Sequence, residues 1–262
     1  MLSTEQTKET IIFQKDKLLV KIIPDRNEMG RIAANEVAEE IIKMLSEKEE
    51  INMIFAAAPS QNEFIQNLIS NKGIKWKKIN AFHMDEYIGL DADAPQGFGN
   101  FLKERIFDQV PFKDVHYLNG QAADLEKECD RYSDLLTKYR IDIVCLGIGE
   151  NGHIAFNDPG VADFNDKKLV KIIDLDLVSR QQQVNDKCFD NLNKVPTQAL
   201  TLTIPALLCG EYMFCVVPSQ NKAEAVRKTL NNEISEDCPA TILRTKENVT
   251  LYLDEASSSL LN

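Results

Sequence analysis

Short apolar runs alternate along the chain with longer segments whose apolar residues recur at helical spacing. A run that is apolar throughout predicts a strand buried on both faces, and a recurrence every three or four residues predicts an amphipathic helix. The predicted strands are residues 11–13, 18–23, 51–58, 79–84, 115–118, 141–146, 169–173, 199–204, 212–217 and 249–253. The predicted helices cover residues 27–47, 125–139 and 175–189 and shorter segments around residues 64–69, 101–107, 205–208 and 223–230.

The alternation of strands and helices predicts an α/β fold. Parallel strands need a crossover, usually a helix, so we expect a doubly wound, mostly parallel sheet with helices on both faces. No Pro/Gly/Ser-rich or low-complexity stretch interrupts the pattern, which favours a single domain over residues 1–262. In such a sheet the loops at the carboxyl ends of the strands meet at the ligand crevice.

The loop after the predicted strand 141–146 combines glycines with titratable side chains. Gly149 and Gly152 allow the backbone to bend tightly and to approach a ligand, while His153 and Asp158 can move protons. A loop that only connects two elements rarely concentrates so many such groups. We therefore place the centre of a candidate site in this loop.

The loop after the predicted strand 51–58 has the signature of a helix amino terminus. Ser60 and Glu63 stand at capping-box spacing, which predicts that the strand turns straight into a helix. Free amides and the helix dipole at such a terminus bind phosphate. An ordinary cap between strand and helix is the alternative, and the Glu63 carboxylate counts against an anion because it would compete for the same amides.

Charged groups follow two other predicted strands. Asp85 and Glu86 are adjacent after strand 79–84, so their side chains point in different directions and one of them can enter the crevice. Asp85 becomes a candidate base, with a solvated strand end as the alternative. Lys222 lies in the first turn after strand 212–217, where it would meet a phosphate at the same sheet edge, with a solvated lysine as the alternative.

The composition excludes several classes of function. A net charge of -11 and a pI near 4.9 argue against non-specific binding to nucleic acid or to an anionic membrane. The polar amino terminus lacks a signal-peptide profile, and no apolar run approaches the roughly 18 residues of a membrane span. Six cysteines without a C-x-x-C pair are typical of reduced thiols, and the three histidines show no metal-ligand spacing. We therefore expect a cytoplasmic protein without a metal site.

Three segments together are similar to one known family. Residues 84–90, 146–159 and 199–203 resemble, in order and spacing, the motifs of the glucosamine-6-phosphate deaminase (isomerase) family, and the middle motif is highly specific. The resemblance implies a Rossmann-like three-layer αβα fold. It also implies conversion of glucosamine 6-phosphate to fructose 6-phosphate and ammonia, by an enzyme of the hydrolase/isomerase type that uses neither a metal nor a cofactor.

The resemblance assigns roles to four residues. Asp85 matches the family's base, which transfers a proton between C2 and C1 of the opened sugar, and His153 matches the histidine that assists ring opening. Asn151 occupies a position that is Asp in some members, where the side chain would orient His153. Asp158 stands where the family usually has Glu, so the acid that would complete the ring-opening group is shorter by one methylene.

The phosphate side departs from the family pattern, which indicates a divergent subgroup. Ser60 and Gln61 stand where family members carry a Gly/Thr/Ser-rich loop, and Lys222 matches the phosphate lysine well. The phosphate-contacting arginine of the family corresponds to Lys187, with Arg180 as the alternative. The remaining substrate-binding candidates are Glu86, Gly149 and Gly152.

Two other functions and the oligomeric state stay open at this point. A 6-phosphogluconolactonase would share the fold and a G-x-G-x-x-G-H motif, but a Ser-Leu-Phe-Pro-like continuation is expected there, whereas residues 156–159 favour the deaminase. A sugar-phosphate-sensing module of a transcriptional regulator would carry a DNA-binding domain before the sheet, and the acidic chain starts its sheet almost at once. The expected partner is a sugar-phosphate substrate, and a homo-oligomer is one of the open arrangements.

Overall fold

The computed structural model describes residues 9–261. Residues 1–8 and Asn262 lie outside the described residues, and so does the amino-terminal segment for which no signal peptide was predicted. The strands are β1 (Ile11–Lys15), β2 (Leu18–Ile23), β3 (Ile51–Phe55), β4 (Ile79–His83), β5 (Asp85–Tyr87), β6 (Asp114–His116), β7 (Ile143–Leu146), β8 (Val170–Asp174), β9 (Gln198–Leu202), β10 (Tyr212–Val217) and β11 (Val249–Asp254). The α-helices are α1 (Arg26–Glu47), α2 (Asn62–Ile69), α3 (Phe98–Leu102), α4 (Leu125–Lys138), α5 (Leu177–Asn185), α6 (Ile204–Leu208) and α7 (Ala223–Asn231). A π-helical turn, Lys103–Phe107, continues α3.

The main sheet has eight strands in the order β1-β2-β11-β10-β7-β3-β4-β6. All neighbours are parallel except β1, which pairs antiparallel with β2 at one edge. The prediction of a mostly parallel α/β sheet is therefore confirmed. Strand β7 returns between β3 and β10, so the connections leaving β3 and β7 diverge at the centre of the sheet and open a crevice there.

Helices cover both faces of this sheet. Met53 and Phe55 of β3 belong to the core layer under α1 and α2, while Ile54 belongs to the layer under α4 and α7. The continuous apolar run of β3 thus follows from burial on both faces. Among the described residues, no helix is both long and apolar enough to cross a membrane.

A second, antiparallel sheet was not predicted. Strands β5, β9 and β8 form it, and the sequence analysis had treated the segments of β8 and β9 as strands of the main sheet. An apolar run indicates burial but does not identify the strand with which it pairs. Here β9 pairs with β8 and with β5, a short polar strand that begins immediately beyond β4. The Leu202 amide donates to the Met84 carbonyl at 2.8 Å, which ties the small sheet to the carboxyl end of β4.

The predicted capping box after β3 is wrong. Ser60 lies inside a 3₁₀ turn, Pro59–Gln61, helix α2 begins only at Asn62, and no side chain caps either element. The Glu63 carboxylate instead lies 2.9 Å from the Arg26 guanidinium of α1. A cation is a stronger partner for a carboxylate than a neutral amide, and this contact between distant segments is absent from the local pattern.

Candidate active site

A cleft opens at the carboxyl ends of the central strands, as the sequence predicted. The loops after β3, β4, β7 and β10 converge on it, and α5 closes one side. Its polar lining residues are Ser60, Gln61, Asp85, His153, Gln182, Gln183 and Lys222, and Gly149 lies beside them. The structure therefore brings together most of the candidates from four separate segments of the chain.

Asp85 presents an unpaired carboxylate to this cleft. It opens β5, is 8% exposed, and among the described residues no side chain or backbone group hydrogen-bonds to its carboxylate. Burial, with a smaller effect from the adjacent Glu86 carboxylate, raises the pKa of Asp85 well above its ordinary value. A carboxylate with a raised pKa is a stronger base, which suits removal of a weakly acidic carbon-bound proton.

His83 holds the backbone of Asp85 in place. Its Nδ1 lies 2.9 Å from the Asp85 carbonyl oxygen, and its Nε2 accepts from the Leu118 amide at 3.0 Å. The amide can only donate, so Nδ1 carries the ring proton and donates to the carbonyl. Burial lowers the pKa of His83 to about 4, which keeps the ring neutral at physiological pH.

Glu86 points away from the cleft, which corrects its assignment as a substrate-binding residue. Its carboxylate accepts hydrogen bonds from the amides of Tyr87, Phe98 and Gly99 at 2.8–3.0 Å. Burial raises the pKa of Glu86, and these three hydrogen bonds oppose that rise. Successive side chains of a strand face opposite ways, so turning Asp85 into the cleft directs Glu86 toward the start of α3.

His153 is held from one side by an amide and a carboxylate. Its Nδ1 lies 2.8 Å from Asn151 Oδ1 and 2.9 Å from Asp158 Oδ1, and the Asn151 amide donates to the same Asp158 oxygen at 2.9 Å. Burial alone would raise the pKa of Asp158, but hydrogen bonds from His153, Asn151 and Ser179 outweigh it and hold this pKa at about 2. Asp158 is therefore ionised, and Nδ1 of His153 donates to it.

Asp158 does not itself line the cleft. Its side chain is fully buried behind the imidazole, in contact with the Nδ1 side. The sequence analysis had placed it as the acid of the ring-opening group; the structure makes it a partner that fixes the tautomer of His153 and leaves Nε2 as the proton acceptor.

The two glycines of this loop have different surroundings. A Cβ on Gly149 would lie 2.1 Å from Cε1 of His153, so only glycine lets the ring pack against the backbone here. Gly152 has φ +91°, and a Cβ there would lie 2.6 Å from the Cys238 sulfur. Gly152 therefore shapes the loop without lining the cleft, in contrast to its predicted contact with substrate.

Lys222 supplies a cation to the same cleft. It is 5% exposed, and within residues 9–261 its ammonium has no hydrogen-bond or ion-pair partner. Burial lowers the pKa of Lys222, while the Asp186 and Glu150 carboxylates act in the opposite direction. Ser60 lines the same cleft, and its hydroxyl accepts from Gln61 Nε2 at 3.2 Å.

The two candidates for the phosphate arginine lie outside the cleft. Arg180 donates to the carbonyls of Leu192 and Val195 at 2.8 and 2.9 Å, so it braces the segment after α5. Lys187 follows the end of α5 with a left-handed φ of +61° and borders a neighbouring cavity of about 370 Å³. That cavity shares Gln183 with the cleft, so Lys187 borders a space that adjoins the candidate site.

Comparison with known proteins places this architecture in a family. The model of the family described as glucosamine-6-phosphate isomerases/6-phosphogluconolactonase matches residues 24–252. The chain belongs to this family. A glucosamine-6-phosphate deaminase of Bacillus cereus (strain B4264) is 35% identical over 228 residues, which cover 87% of this chain and 84% of the relative. One from Exiguobacterium sp. (strain ATCC BAA-1283 / AT1b) is 40% identical over 181 residues, 69% of each chain.

Solved structures of the family share the fold. A monomeric glucosamine-6-phosphate deaminase superposes with a TM-score of 0.83 at 31% identity, over 93% of this chain and 99% of that chain. The 6-phosphogluconolactonase of Thermotoga maritima superposes with a TM-score of 0.73 at 22% identity, over 91% of this chain and 100% of that chain. The second likeness concerns the fold alone. The family resemblance seen in the motifs is therefore confirmed over most of the chain.

Three functional candidates on α5 were missed by sequence reasoning. The Ser179 hydroxyl contacts both Asp158 and His153, Gln182 Oε1 accepts from the Glu150 amide at 2.8 Å, and Gln183 lines the cleft. These three residues are spaced i, i+3, i+4, which places them on one face of a helix. The polar face that these residues form on α5 was the sequence signal that could have identified them.

Arg26 was also missed. Its guanidinium donates to the Ser219 hydroxyl at 3.1 Å and to the Pro59 carbonyl at 2.7 Å, and it pairs with Glu63. It therefore joins the loop that carries Ser60 to the loop that leads to Lys222. An arginine in the first turn of a helix opposes the macrodipole, and that unfavourable position was the only local sign of another role.

Proposed function

We propose that the enzyme converts glucosamine 6-phosphate into fructose 6-phosphate and ammonia. The observation that carries the proposal is the pair of groups on one cleft: the buried, unpaired Asp85 carboxylate and the His153 ring whose Nδ1 is fixed by ionised Asp158. The first is a base for a carbon acid, and the second can relay a proton between two sugar oxygens. The relatives named glucosamine-6-phosphate deaminase support the same reaction.

Ring opening is the task of His153 in this proposal. Its Nε2 accepts the proton of the anomeric hydroxyl and returns it to the ring oxygen as the C1–O5 bond breaks. Asp158 and Asn151 keep Nδ1 as the donor, so the ring presents the same nitrogen to the sugar throughout. The product is the open-chain aldehyde, which makes the proton on C2 acidic enough to remove.

Asp85 then moves the C2 proton to C1. Removal of that proton gives an enolamine, and its return to C1 gives an imine at C2, to which water adds before ammonia leaves. The raised pKa of Asp85 brings its basicity closer to the working pH, which improves general base catalysis. The Lys222 ammonium and the Ser60 hydroxyl, which line the same cleft, hold the phosphate.

The proposal extends to the cellular location, the binding partners and the oligomeric state of the enzyme. We infer a cytoplasmic enzyme that acts on a sugar phosphate, and the net charge of -11 argues against binding to nucleic acid or to an anionic membrane. A similar deaminase of known structure is described as monomeric. Assembly into a homo-oligomer stays a prediction that size-exclusion chromatography with light scattering would test.

Replacement of the base tests the proposal. We expect Asp85→Asn to lower kcat for ammonia release by about 1000-fold, the range of a general base, while the wild-type enzyme forms ammonia and fructose 6-phosphate in equal amounts. Asp91→Asn, an exposed carboxylate on the following loop, is the matched control and should keep full activity. Undiminished turnover by folded Asp85→Asn protein would refute the assignment of the base.

A further inference from the structure

The Ser179 hydroxyl is built into the group that holds His153. Ser179 lies on α5, is 1% exposed, and its Oγ lies 2.9 Å from His153 Nδ1 and hydrogen-bonds to Asp158 Oδ1. The family resemblance assigned parts in ring opening to Asp158 and Asn151 but none to a residue of α5. Ser179 is therefore a member of the cluster without an assigned part in the reaction.

The direction of each hydrogen bond follows from the charges. Asp158 has a pKa of about 2, so its carboxylate can only accept, and the Ser179 hydroxyl donates to it. The lone pairs of that hydroxyl then face the His153 ring. Nδ1 is surrounded by three acceptors, Asn151 Oδ1, Asp158 Oδ1 and Ser179 Oγ, all within 2.9 Å. The ring proton is therefore held on Nδ1, and Nε2 carries no proton and can accept one.

Ser179 is the only one of these partners that comes from outside the loop. Asn151, His153 and Asp158 belong to one segment after β7 and would shift together. Asp158 Oδ2 is buried without a hydrogen-bond partner among the described residues, so the carboxylate is held through Oδ1 alone. The hydroxyl from α5 therefore anchors the whole group to a second element, at a position where the side chain is one methylene shorter than the usual Glu.

We propose that Ser179 is a positioning residue for ring opening, which fixes Asp158 and, through it, the tautomer and orientation of His153. The inference rests on the proposed deaminase function. In wild-type enzyme the anchored carboxylate keeps Nε2 aimed at the anomeric hydroxyl. Without the Ser179 hydroxyl, Asp158 loses one of its three donors and its own direct link to α5.

The same geometry excludes Ser179 as a nucleophile. In a Ser-His-Asp triad the serine and the acid bond to opposite nitrogens of the histidine. Here Ser179 and Asp158 both lie at Nδ1, on the buried side of the ring, and Ser179 does not line the cleft. Its hydroxyl can orient His153 but cannot reach a carbonyl carbon in the cleft.

Kinetics of Ser179→Ala separate ring opening from binding. We expect kcat for ammonia release to fall about 10- to 100-fold, the range for a lost hydrogen bond to a charged group, with KM within about twofold of wild type. The Kd of 2-amino-2-deoxyglucitol 6-phosphate, which is already open-chain, should not change. Ser179→Thr keeps the hydroxyl and should recover activity, and Gln181→Ala, an exposed truncation on the same helix, is the matched control.

A spectroscopic readout tests the positioning role without turnover. The chain has three histidines, so ¹⁵N-histidine labelling and long-range ¹H–¹⁵N correlation resolve each ring. We expect His153 as the Nδ1–H tautomer in wild type and a loss of this single form in Ser179→Ala. An unchanged tautomer, an unchanged kcat, or a weaker Kd for the open-chain analogue would overturn the proposal. Absence of ammonia release by wild-type enzyme would instead refute the deaminase function, while the tautomer measurement would still decide whether Ser179 holds His153.

Discussion

At the scale of single residues, burial of Asp85 has two effects. It makes the carboxylate a stronger base, as the proposed reaction needs, and it lowers the stability of the folded protein at neutral pH. Its carboxylate is buried without a partner among the described residues, and burial raises its pKa well above the ordinary value. The unfolded chain ionises this group near pH ~3.9, whereas the folded chain resists ionisation. As pH rises from that value through the raised pKa, the free energy of unfolding therefore decreases.

The expected stability of Asp85→Asn follows from this decrease in the free energy of unfolding with rising pH. The variant has no carboxylate to ionise, so we expect it to melt a few degrees above wild type at pH 7.5, even though its kcat should be about 1000-fold lower. The difference should shrink as pH is lowered toward ~3.9 and vanish well below it, where the wild-type group is protonated in both states. Calorimetry of both proteins at several pH values measures this, with Asp91→Asn as the control. A lower melting temperature of Asp85→Asn at pH 7.5 would contradict the argument.

The sequence predicted the chemistry of these residues better than their directions. A carboxylate pair after β4 predicted one group in the crevice and one outside, but both were assigned to the site. The three amides that hold Glu86 come from Tyr87, Phe98 and Gly99, and two of these lie more than ten residues away. Such a contact depends on where α3 packs, which the pattern of one strand does not contain.

At the scale of elements, Arg26 links the two loops that carry the phosphate-binding candidates Ser60 and Lys222. It bonds to Pro59 beside Ser60 and to Ser219 three residues before Lys222. Its charge is paired with Glu63 of α2, so it acts through position and not as a free cation. The spacing between the two phosphate-binding candidates therefore depends on the first turn of α1.

Removal of this link should weaken substrate binding. We expect Arg26→Ala to raise KM for glucosamine 6-phosphate about tenfold, equivalent to about 1.4 kcal/mol, with kcat within about twofold. The inhibition constant of inorganic phosphate should rise in parallel. Arg31→Ala removes an exposed arginine that pairs with Glu28 on the same helix, and it should change neither constant. A fall in kcat at constant KM would show that Arg26 acts on the chemical step instead.

Periodicity predicted most elements, but not their assignment to two sheets. Strands buried on both faces, such as β3 and β7, were recognised because nearly all of their residues are apolar. The three-residue strand β5 is too short and too polar to give a pattern, and its pairing with β9 is a long-range contact. That pairing sets Asp85 opposite Thr201, so the missed element is the one that positions the base.

At the scale of the whole molecule, the site is a consequence of strand order. The groups proposed to act on the sugar follow β4 and β7, those proposed to bind the phosphate follow β3 and β10, and the main sheet places these four strands side by side. The convergence was predictable because parallel strands present their carboxyl ends at one edge. The contribution of α5 was not, since its polar face acquires a role only when it packs on the loop after β7.

An NMR time course with two substrates in one tube distinguishes the proposed reaction from its nearest rival. Wild-type enzyme is mixed with glucosamine 6-phosphate and 6-phosphogluconolactone, and both are followed together. We expect loss of the amino sugar with equal formation of ammonium and fructose 6-phosphate, while the lactone disappears no faster than in buffer. Hydrolysis of the lactone above the buffer rate, with glucosamine 6-phosphate unchanged, would contradict the deaminase function.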